Sequence, residues 1–379
     1  MASKACLQLE EKVMSRDLCT LCGACVGMCP YIVAYQGRVL VRDECDLSEG
    51  RCSAFCPRIS LDLNELSRLV FGIPYGWEAM GSVSRIFMAR SSDRTVRTRA
   101  QDAGTVTSLM GLALEEGLID SAVVTSFQDK AYPEARVVSD RQELLKCAGS
   151  NYMASPTLQA FHRAAADAER SRIGVVATPC QTLGLAKMRT VRSEEPNGIE
   201  KLKLVIGLFC TWALSYPAFE EFLEKEVSRP VLKYKIPPPP ANVLQVVTPN
   251  GQIDLPLDRI RPLVRPACKV CWDMTSEFAD LSVGAAELEA SPGGGQKELS
   301  SWNTVIVRTE RGMSLLERAR IKGILETEEL PKKSLDHLRE AARNKKKRAL
   351  QAIVEKTGSK RDLLCLKVDP SAVERFLEE

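Results

Sequence analysis

The chain has 379 residues, of which 45% are hydrophobic and 27% are charged, so it can form two to three globular domains with sizeable cores. A net charge of +3 and a pI near 8.1 are too mild to indicate nucleic-acid binding as the main activity. Residues 1–16 are polar without the apolar stretch of a signal peptide, and the longest apolar run, 205–214, is too short to cross a membrane. We therefore expect a cytoplasmic protein with no transmembrane segment.

The numbers of cysteines and histidines limit the kinds of functional site that the chain can form. The chain contains 14 cysteines and only two histidines, His162 and His337. In a reducing compartment, so many cysteines point to metal ligation or redox chemistry and not to structural disulfides. Two histidines are too few for haem, a multi-histidine metal site or an acid–base mechanism built on histidine.

Three regions follow one another along the chain. Residues 1–75 hold seven clustered cysteines between Cys19 and Cys56, and residues 80–235 alternate between helical and strand-like patterns. These patterns predict helices over 105–116, 156–168, 181–189 and 217–227, and strands over 120–126, 172–177 and 202–209. Strands alternating with helices of this length are typical of a mostly parallel, doubly wound sheet.

The third region, 236–379, begins after a proline run at 237–240 that predicts a stiff connector. Residues 243–257 predict a β-hairpin turning at Asn250-Gly251, and the Gly/Ser-rich residues 291–301 predict a loop. The chain then carries a basic helix over 335–355. We interpret its run of basic residues as a solvated helix face; the run comprises Lys345, Lys346, Lys347 and Arg348.

The strongest motif is the run Cys19, Cys22, Cys25 and Cys29-Pro30, with the spacing Cys-x-x-Cys-x-x-Cys-x-x-x-Cys-Pro. Gaps of two residues let a tight loop present three thiolates to one iron–sulfur cube, while the fourth cysteine reaches the other cluster of a two-cluster ferredoxin. Zinc sites prefer two separated pairs of ligands, so zinc fits this run poorly. The N-terminal region therefore predicts a bacterial-ferredoxin-like module.

A second, less regular copy follows in Cys45, Cys52 and Cys56-Pro57. An unmodified motif would place cysteines six and three residues before Cys52, whereas Cys45 lies seven residues before it. By the crossover rule the first cluster takes Cys56 in addition to its own three cysteines, and the second takes Cys29, Cys45 and Cys52. The fourth ligand of the second cluster remains open. The candidates are an oxygen from Asp46, Ser48 or Glu49, a thiol from Cys6, or a cluster of only three irons.

Four further cysteines are scattered over the rest of the chain. Cys180 follows the strand predicted over 172–177, Cys210 follows the strand predicted over 202–209, and Cys268 and Cys271 form a Cys-x-x-Cys pair. Because the carboxyl ends of parallel strands meet at one edge of a sheet, Cys180 and Cys210 should lie close together. With the Cys268–Cys271 pair they provide four thiolates, enough for another cluster or a tetrahedral zinc ion.

Taken together, these motifs resemble the beta subunits of coenzyme F420-reducing hydrogenase and of F420-dependent formate dehydrogenase, from about Cys19 to the basic tail. The resemblance rests on the ferredoxin motif, the scattered cysteines and four short segments. These segments are QDAGTVT at 101–107, AGSNY at 148–152, GLFC at 207–210 and ADLSVG at 279–284. The chain departs from the family at Ala103, where a glycine is usual, and at Asn151, where a lysine is usual.

The resemblance implies an FAD and a 4Fe-4S cluster held by the four scattered cysteines, giving two to three clusters in the whole chain. It also implies two flavin-contacting segments, in which a glycine allows close backbone approach and helix-start amides suit an anionic pyrophosphate. The implied flavin residues are Gln101, Asp102, Gly104, Thr105, Val106, Thr107, Gly149, Ser150, Asn151 and Tyr152. The expected fold class is mixed α/β, with the ferredoxin-like module followed by an α/β flavin-binding domain and a C-terminal α/β extension.

The function implied by the resemblance is an oxidoreductase subunit that relays electrons between a two-electron carrier and a partner subunit through FAD and 4Fe-4S clusters. The carrier would be coenzyme F420 or NAD(P)H. The partner would be a hydrogenase, formate dehydrogenase, heterodisulfide reductase-like or quinone-reducing protein, which could also attach the chain to a membrane. Two alternatives stay open: a stand-alone ferredoxin-dependent reductase of an organic substrate, and an adapter that wires clusters together without a flavin.

Overall fold

The computed structural model describes residues 4–126, 132–191, 197–237, 241–288 and 302–378. Of the predicted proline connector only Pro237 is among them, and the loop predicted over 291–301 lies outside them. Within these ranges no helix is both long enough and apolar enough to cross a membrane.

Strands and helices alternate along most of the described chain. The strands are β1 Ile32–Tyr35, β2 Arg38–Val41, β3 Leu61–Asp62, β4 Arg85–Ser91, β5 Ser121–Ser126, β6 Glu134–Val138, β7 Ile173–Ala177, β8 Leu202–Leu208, β9 Lys233–Lys235, β10 Val243–Thr248, β11 Gly251–Pro256, β12 Leu281–Ala285, β13 Asn303–Val307, β14 Leu325–Glu329 and β15 Leu366–Lys367. The α-helices are α1 Ala5–Leu9, α2 Arg51–Ala54, α3 Leu63–Phe71, α4 Arg94–Arg99, α5 Thr105–Glu115, α6 Arg141–Lys146, α7 Thr157–Ala166, α8 Pro179–Thr190, α9 Tyr216–Glu226, α10 Leu257–Ile260, α11 Pro266–Lys269, α12 Glu310–Ile321, α13 Lys332–Thr357 and α14 Pro370–Glu378.

The centre of the fold is an eight-stranded sheet with the order β14-β4-β13-β12-β8-β7-β5-β6. The central strands β12, β8, β7 and β5 run parallel, as the alternating pattern predicts, whereas the outer pairings are antiparallel. Only seven residues join β5 to β6, too few for the crossover that parallel strands need. The α/β fold class is confirmed, with a sheet more mixed than the sequence pattern indicates.

The seven helices and strands predicted between 105 and 227 are present, with ends shifted by no more than two residues. The predicted hairpin is present as β10 and β11, but its turn lies one residue earlier than predicted. Thr248 pairs with Gly251, so Pro249 and Asn250 form the turn and Gly251 begins the second strand.

The cysteine-rich N-terminal segment shares one apolar core with distant parts of the chain. The members of this core include Leu21, Ile32, Leu183, Trp272, Leu350 and Phe376. The parallel pairing of β3 with β15 adds a second link between the N-terminal and C-terminal segments. The packing therefore brings the N-terminal cysteines against α8, α13 and the segment that carries Cys271.

Candidate functional site

The first group of thiols lines an internal cavity in the N-terminal segment. Its cysteines are Cys19, Cys22, Cys25 and Cys56, and apolar side chains, among them Leu9 and Val13, complete the wall. Cys25 and Cys56 are buried, and burial raises the pKa of both thiols above the usual range. A bound cation would reverse this effect, because positive charge favours the thiolate.

Backbone contacts with α7 fix the loop that carries these cysteines. The Leu158 amide donates to the Cys22 carbonyl at 3.1 Å, and His162 Nε2 lies 3.0 Å from the Ala24 carbonyl. Gly23 has φ +88°, and a Cβ added there would lie 2.6 Å from the Pro156 carbonyl oxygen. The loop therefore needs glycine at this position to lie so close to the helix start.

A second group of thiols lies beside the first. Burial, followed by the nearby charges of Cys29 and Cys45, raises the pKa of Cys52 to about 11. Cys29 is exposed, while Cys45 and Cys52 are half-buried. Cys52 in turn contributes to the raised pKa of Cys25, so the two groups are neighbours.

The third group of thiols consists of the four scattered cysteines, Cys180, Cys210, Cys268 and Cys271. Cys180 opens α8 directly after β7, and Cys210 follows β8, the parallel neighbour of β7. The Ala213 amide donates to Cys268 Sγ at 3.3 Å, which brings the loop after β8 against α11. Burial, followed by the charge of Cys271, raises the pKa of Cys268 to about 11, and Cys180 adds to this rise.

The first and third groups are also adjacent. Burial raises the pKa of Cys22 to about 12, and the charge of Cys180 is the next largest cause. The three groups thus form a continuous series, from Cys29 at the surface to Cys268 on α11. Among the described residues, no three His, Cys, Asp or Glu side chains form a group that could hold a metal ion.

Two buried cations beside the third group are not indicated by any sequence motif. Lys345 is 5% exposed and its Nζ donates to the Cys210 carbonyl at 2.6 Å. Although burial opposes it, the charges of Cys271 and Cys210 raise the pKa of Lys345. Arg58 is 4% exposed, with its guanidinium 5.6 Å from the Trp272 ring centre.

The solvated helix face expected on α13 is therefore wrong for Lys345 and Lys346. Both side chains are buried, whereas Lys347 is half-buried and Arg348 is exposed. The buried pair points into the protein because buried acceptors are present there, including a carboxylate that lies 2.9 Å from Lys346 Nζ. These acceptors are far away in sequence, so the charge run alone does not indicate them.

The first implied flavin segment lies at the start of α5. Gly104 has φ +76° and precedes the helix, and a Cβ added there would lie 2.8 Å from Val96 Cγ1. Thr105 is buried, and its hydroxyl donates to the Ala89 carbonyl at 3.0 Å. The remaining residues of this segment are half-buried; they are Gln101, Asp102, Val106 and Thr107.

The second implied segment meets the first through a side-chain hydrogen bond. Gln101 Nε2 donates to the Tyr152 hydroxyl at 3.0 Å, and the Ile236 amide donates to the same oxygen at 3.1 Å. The Tyr152 ring lies 6.0 Å from the ring of Trp212, two residues after Cys210. This arrangement brings the implied flavin residues close to the third thiol group. Gly149 (φ +124°) is exposed, and Ser150 and Asn151 are half-buried.

Buried polar atoms in these segments lack partners within the described part of the chain. They are Gln101 Oε1 and Asn151 Nδ2. Ser155 Oγ, which lies close by in sequence, also lacks a partner there. Lys235 Nζ lies 3.9 Å from Asp102 Oδ1 and adds positive charge next to the segment. Buried donors and acceptors without partners are suited to a polar ligand, which is consistent with the FAD that the resemblance implies.

Comparison with known proteins identifies the family to which the chain belongs. The family model described as "Coenzyme F420 hydrogenase/dehydrogenase, beta subunit N-term" matches residues 86–162. The model for the C-terminal part of the same beta subunits matches residues 170–333. A solved structure of the F420-reducing NiFe hydrogenase complex from Methanosarcina barkeri contains a similar chain. It has a TM-score of 0.66 and 28% identity, covering 73% of this chain and 93% of that one.

Curated relatives include the coenzyme F420 hydrogenase subunit beta of Methanothermobacter thermautotrophicus. It is 32% identical over 277 residues, which cover 71% of this chain and 94% of the relative. The coenzyme F420-dependent sulfite reductase of Methanocaldococcus jannaschii is 29% identical, and the match covers 85% of this chain and 49% of that protein. The chain belongs to the coenzyme F420 hydrogenase/dehydrogenase beta subunit family.

Proposed function

We propose that the chain is an electron-transfer subunit of an F420-linked oxidoreductase complex that carries FAD and 4Fe-4S clusters. The observation that carries this proposal is the continuous series of three thiol groups, which ends beside partnerless buried polar atoms of the implied flavin segments. When bound, FAD would exchange a hydride with the two-electron carrier and exchange single electrons with the clusters.

Each group of residues has a distinct role in this proposal. The residues 101–107 and 149–152 hold and orient the flavin, and the third thiol group holds the nearest cluster. The ferredoxin-like module, over about 1–75, holds the clusters nearer the surface, where Cys29 is exposed. Lys345 and Arg58 offset the negative charge of thiolates that are out of contact with water.

The names of the relatives support coenzyme F420 as the carrier, ahead of a nicotinamide. The relatives are a hydrogenase subunit and a sulfite reductase that are named for this coenzyme, and an F420H2 dehydrogenase subunit of Methanosarcina mazei at 28% identity. The structural relative is part of a hydrogenase complex. We accordingly propose that this chain delivers electrons to, or receives them from, a redox partner of the hydrogenase, formate dehydrogenase, heterodisulfide reductase-like or quinone-reducing type.

Cofactor analysis and a steady-state assay test the proposal together. The anaerobically purified chain should release FAD, contain iron and acid-labile sulfide, and reduce a viologen dye with reduced coenzyme F420 as the donor. NADH under the same conditions provides the comparison. A chain that contains iron but no FAD, and that reacts with neither donor, would show that it is a flavin-less adapter.

The flavin pocket can be tested at Asn151. Its Oδ1 accepts from the Met153 amide at 2.6 Å, while its Nδ2 is buried without a partner in the described structure. If Nδ2 bonds to FAD, Asn151→Ala should weaken FAD binding about tenfold, the equivalent of one hydrogen bond. Titration of FAD into the deflavinated chain measures this. Asn250→Ala, at the exposed hairpin turn, is the control. Equal FAD affinity in both variants would place the flavin elsewhere.

The buried lysine beside the third thiol group should set the potential of its cluster. Lys345→Met removes a positive charge that favours the reduced, more negative cluster, so its midpoint potential should fall by about 60 mV, on the order of 1.4 kcal/mol for one electron. EPR-monitored redox titration measures the shift. Lys356→Met removes an exposed charge from the same helix and should leave the potential unchanged. Equal potentials in the two variants would contradict the placement of a cluster at this group.

A further inference from the structure

The N-terminal helix α1 packs on the loop that carries Cys45. The Ala5 amide donates to the Leu47 carbonyl at 2.8 Å, and Gln8 Nε2 donates to the Ser48 carbonyl at 3.4 Å. Lys4 Nζ lies 3.1 Å from Glu44 and 3.3 Å from Asp46. Backbone and side-chain contacts together thus hold this short helix against residues 44–48.

The same helix faces the second thiol group. A Cβ added at Gly50 would lie 3.0 Å from Ala5 Cβ and 3.3 Å from Cys52 Sγ, so α1 and Cys52 meet across this glycine. Cys6, the next residue of α1, is 1% exposed.

The oxygen donors close to the second group are turned toward solvent. Asp46, Ser48 and Glu49 are all exposed, and the Asp46 carboxylate is paired with Lys4. Iron–sulfur clusters are held by thiolates, which are also stronger ligands for iron than an exposed carboxylate or hydroxyl is. Among these candidates, the geometry therefore favours the buried thiol of α1.

We infer that Cys6 is the fourth ligand of the second cluster site, with Cys29, Cys45 and Cys52. In this arrangement Cys6, which lies 39 residues before Cys45, supplies the thiol that the irregular second motif lacks between Cys45 and Cys52. The inference rests on the proposed two-cluster module.

Iron analysis and EPR of three variants test the inference. The wild-type chain should contain about twelve iron atoms in three four-iron clusters. Cys6→Ala should convert the second cluster to a three-iron form, with the EPR signal of that form in the oxidised state, or should lose it, leaving about eight irons. Cys45→Ala should affect the same cluster. Cys147→Ala removes a half-buried cysteine near Ser126 and should leave iron content and EPR unchanged.

Cys6→Ser keeps the size of the side chain and provides a second variant in case Cys6→Ala does not fold. If folded Cys6→Ser and Cys6→Ala chains keep the iron content and EPR spectrum of the wild type while Cys45→Ala does not, Cys6 is only a buried apolar side chain and the inference is wrong. A failure of this inference can be distinguished from a failure of the proposed function, because FAD content and the reaction with reduced coenzyme F420 are measured separately. Loss of those properties in the wild type would leave the Cys6 result unaffected.

Discussion

Lys346→Met is expected to lower the free energy of unfolding by about 3–5 kcal/mol, because it leaves a buried carboxylate without its counter-charge. Lys346 Nζ lies 2.9 Å from Glu277 Oε1, and the two side chains are 0% and 2% exposed. The Tyr75 hydroxyl donates to Glu277 Oε2 at 2.6 Å and accepts from Lys346 at 2.9 Å. Lys346 also donates to the Glu78 carbonyl.

This network fixes α13 against the segment around residue 277, six residues after Cys271. Chemical denaturation followed by circular dichroism measures the effect, with the exposed Lys356→Met as the matched control. The double variant Lys346→Met/Glu277→Gln should recover part of the loss, because the uncompensated charge is then removed as well. A loss below about 1 kcal/mol for the single variant would contradict the buried pair, since that is the range of an exposed pair.

Cys268→Ala is expected to remove about four iron atoms from the chain and to interrupt electron transfer between the flavin and the ferredoxin-like module. Cys268 accepts a hydrogen bond from the Ala213 amide in the loop after β8. The charges of Cys271 and Cys180 also act on it. The proposed relay has no other cluster site between the flavin segments and the module within the described residues. Dye reduction by reduced coenzyme F420 should therefore fall to background when the dye takes electrons from the module.

The FAD content of the variant should stay at the wild-type value, because the residues implied in flavin binding lie around the start of α5 and on the segment before α7. Iron analysis, FAD release and the dye assay measure the three quantities in one preparation. Cys147→Ala, outside all three thiol groups, is the control. An unchanged iron content in folded Cys268→Ala would show that the third thiol group holds no cluster.

Local spacing was sufficient to predict much of the fold, and the predicted thiol groups also rest on spacing. The run from Cys19 to Cys29 defines a loop by itself, and Cys180 and Cys210 could be placed together because parallel strands end at one edge. The direction of the outer strands could not be predicted, because their hydrophobic pattern is the same in either direction. Pairing in β13 and β4 depends on contacts more than 200 residues apart in sequence.

The burial of two cations could not be predicted from the sequence for a related reason. Lys345 and Lys346 lie in a basic run that has the composition of a solvated helix, and their acceptors are contributed by residues 210 and 277. Only the tertiary fold brings these groups together. The position of Cys6 was left open by the sequence for the same reason, because α1 reaches the second thiol group through packing and not through motif spacing.

Rapid mixing of the oxidised, FAD-containing chain with reduced coenzyme F420 under anaerobic conditions tests the central claim most directly. The flavin absorbance should decrease first, and the broad iron–sulfur absorbance should decrease afterwards as electrons pass to the three cluster sites. In Cys268→Ala the first phase should persist while most of the second is lost. Reduction of the clusters without any change in the flavin band, or no change in either band while FAD is bound, would contradict electron transfer through the flavin.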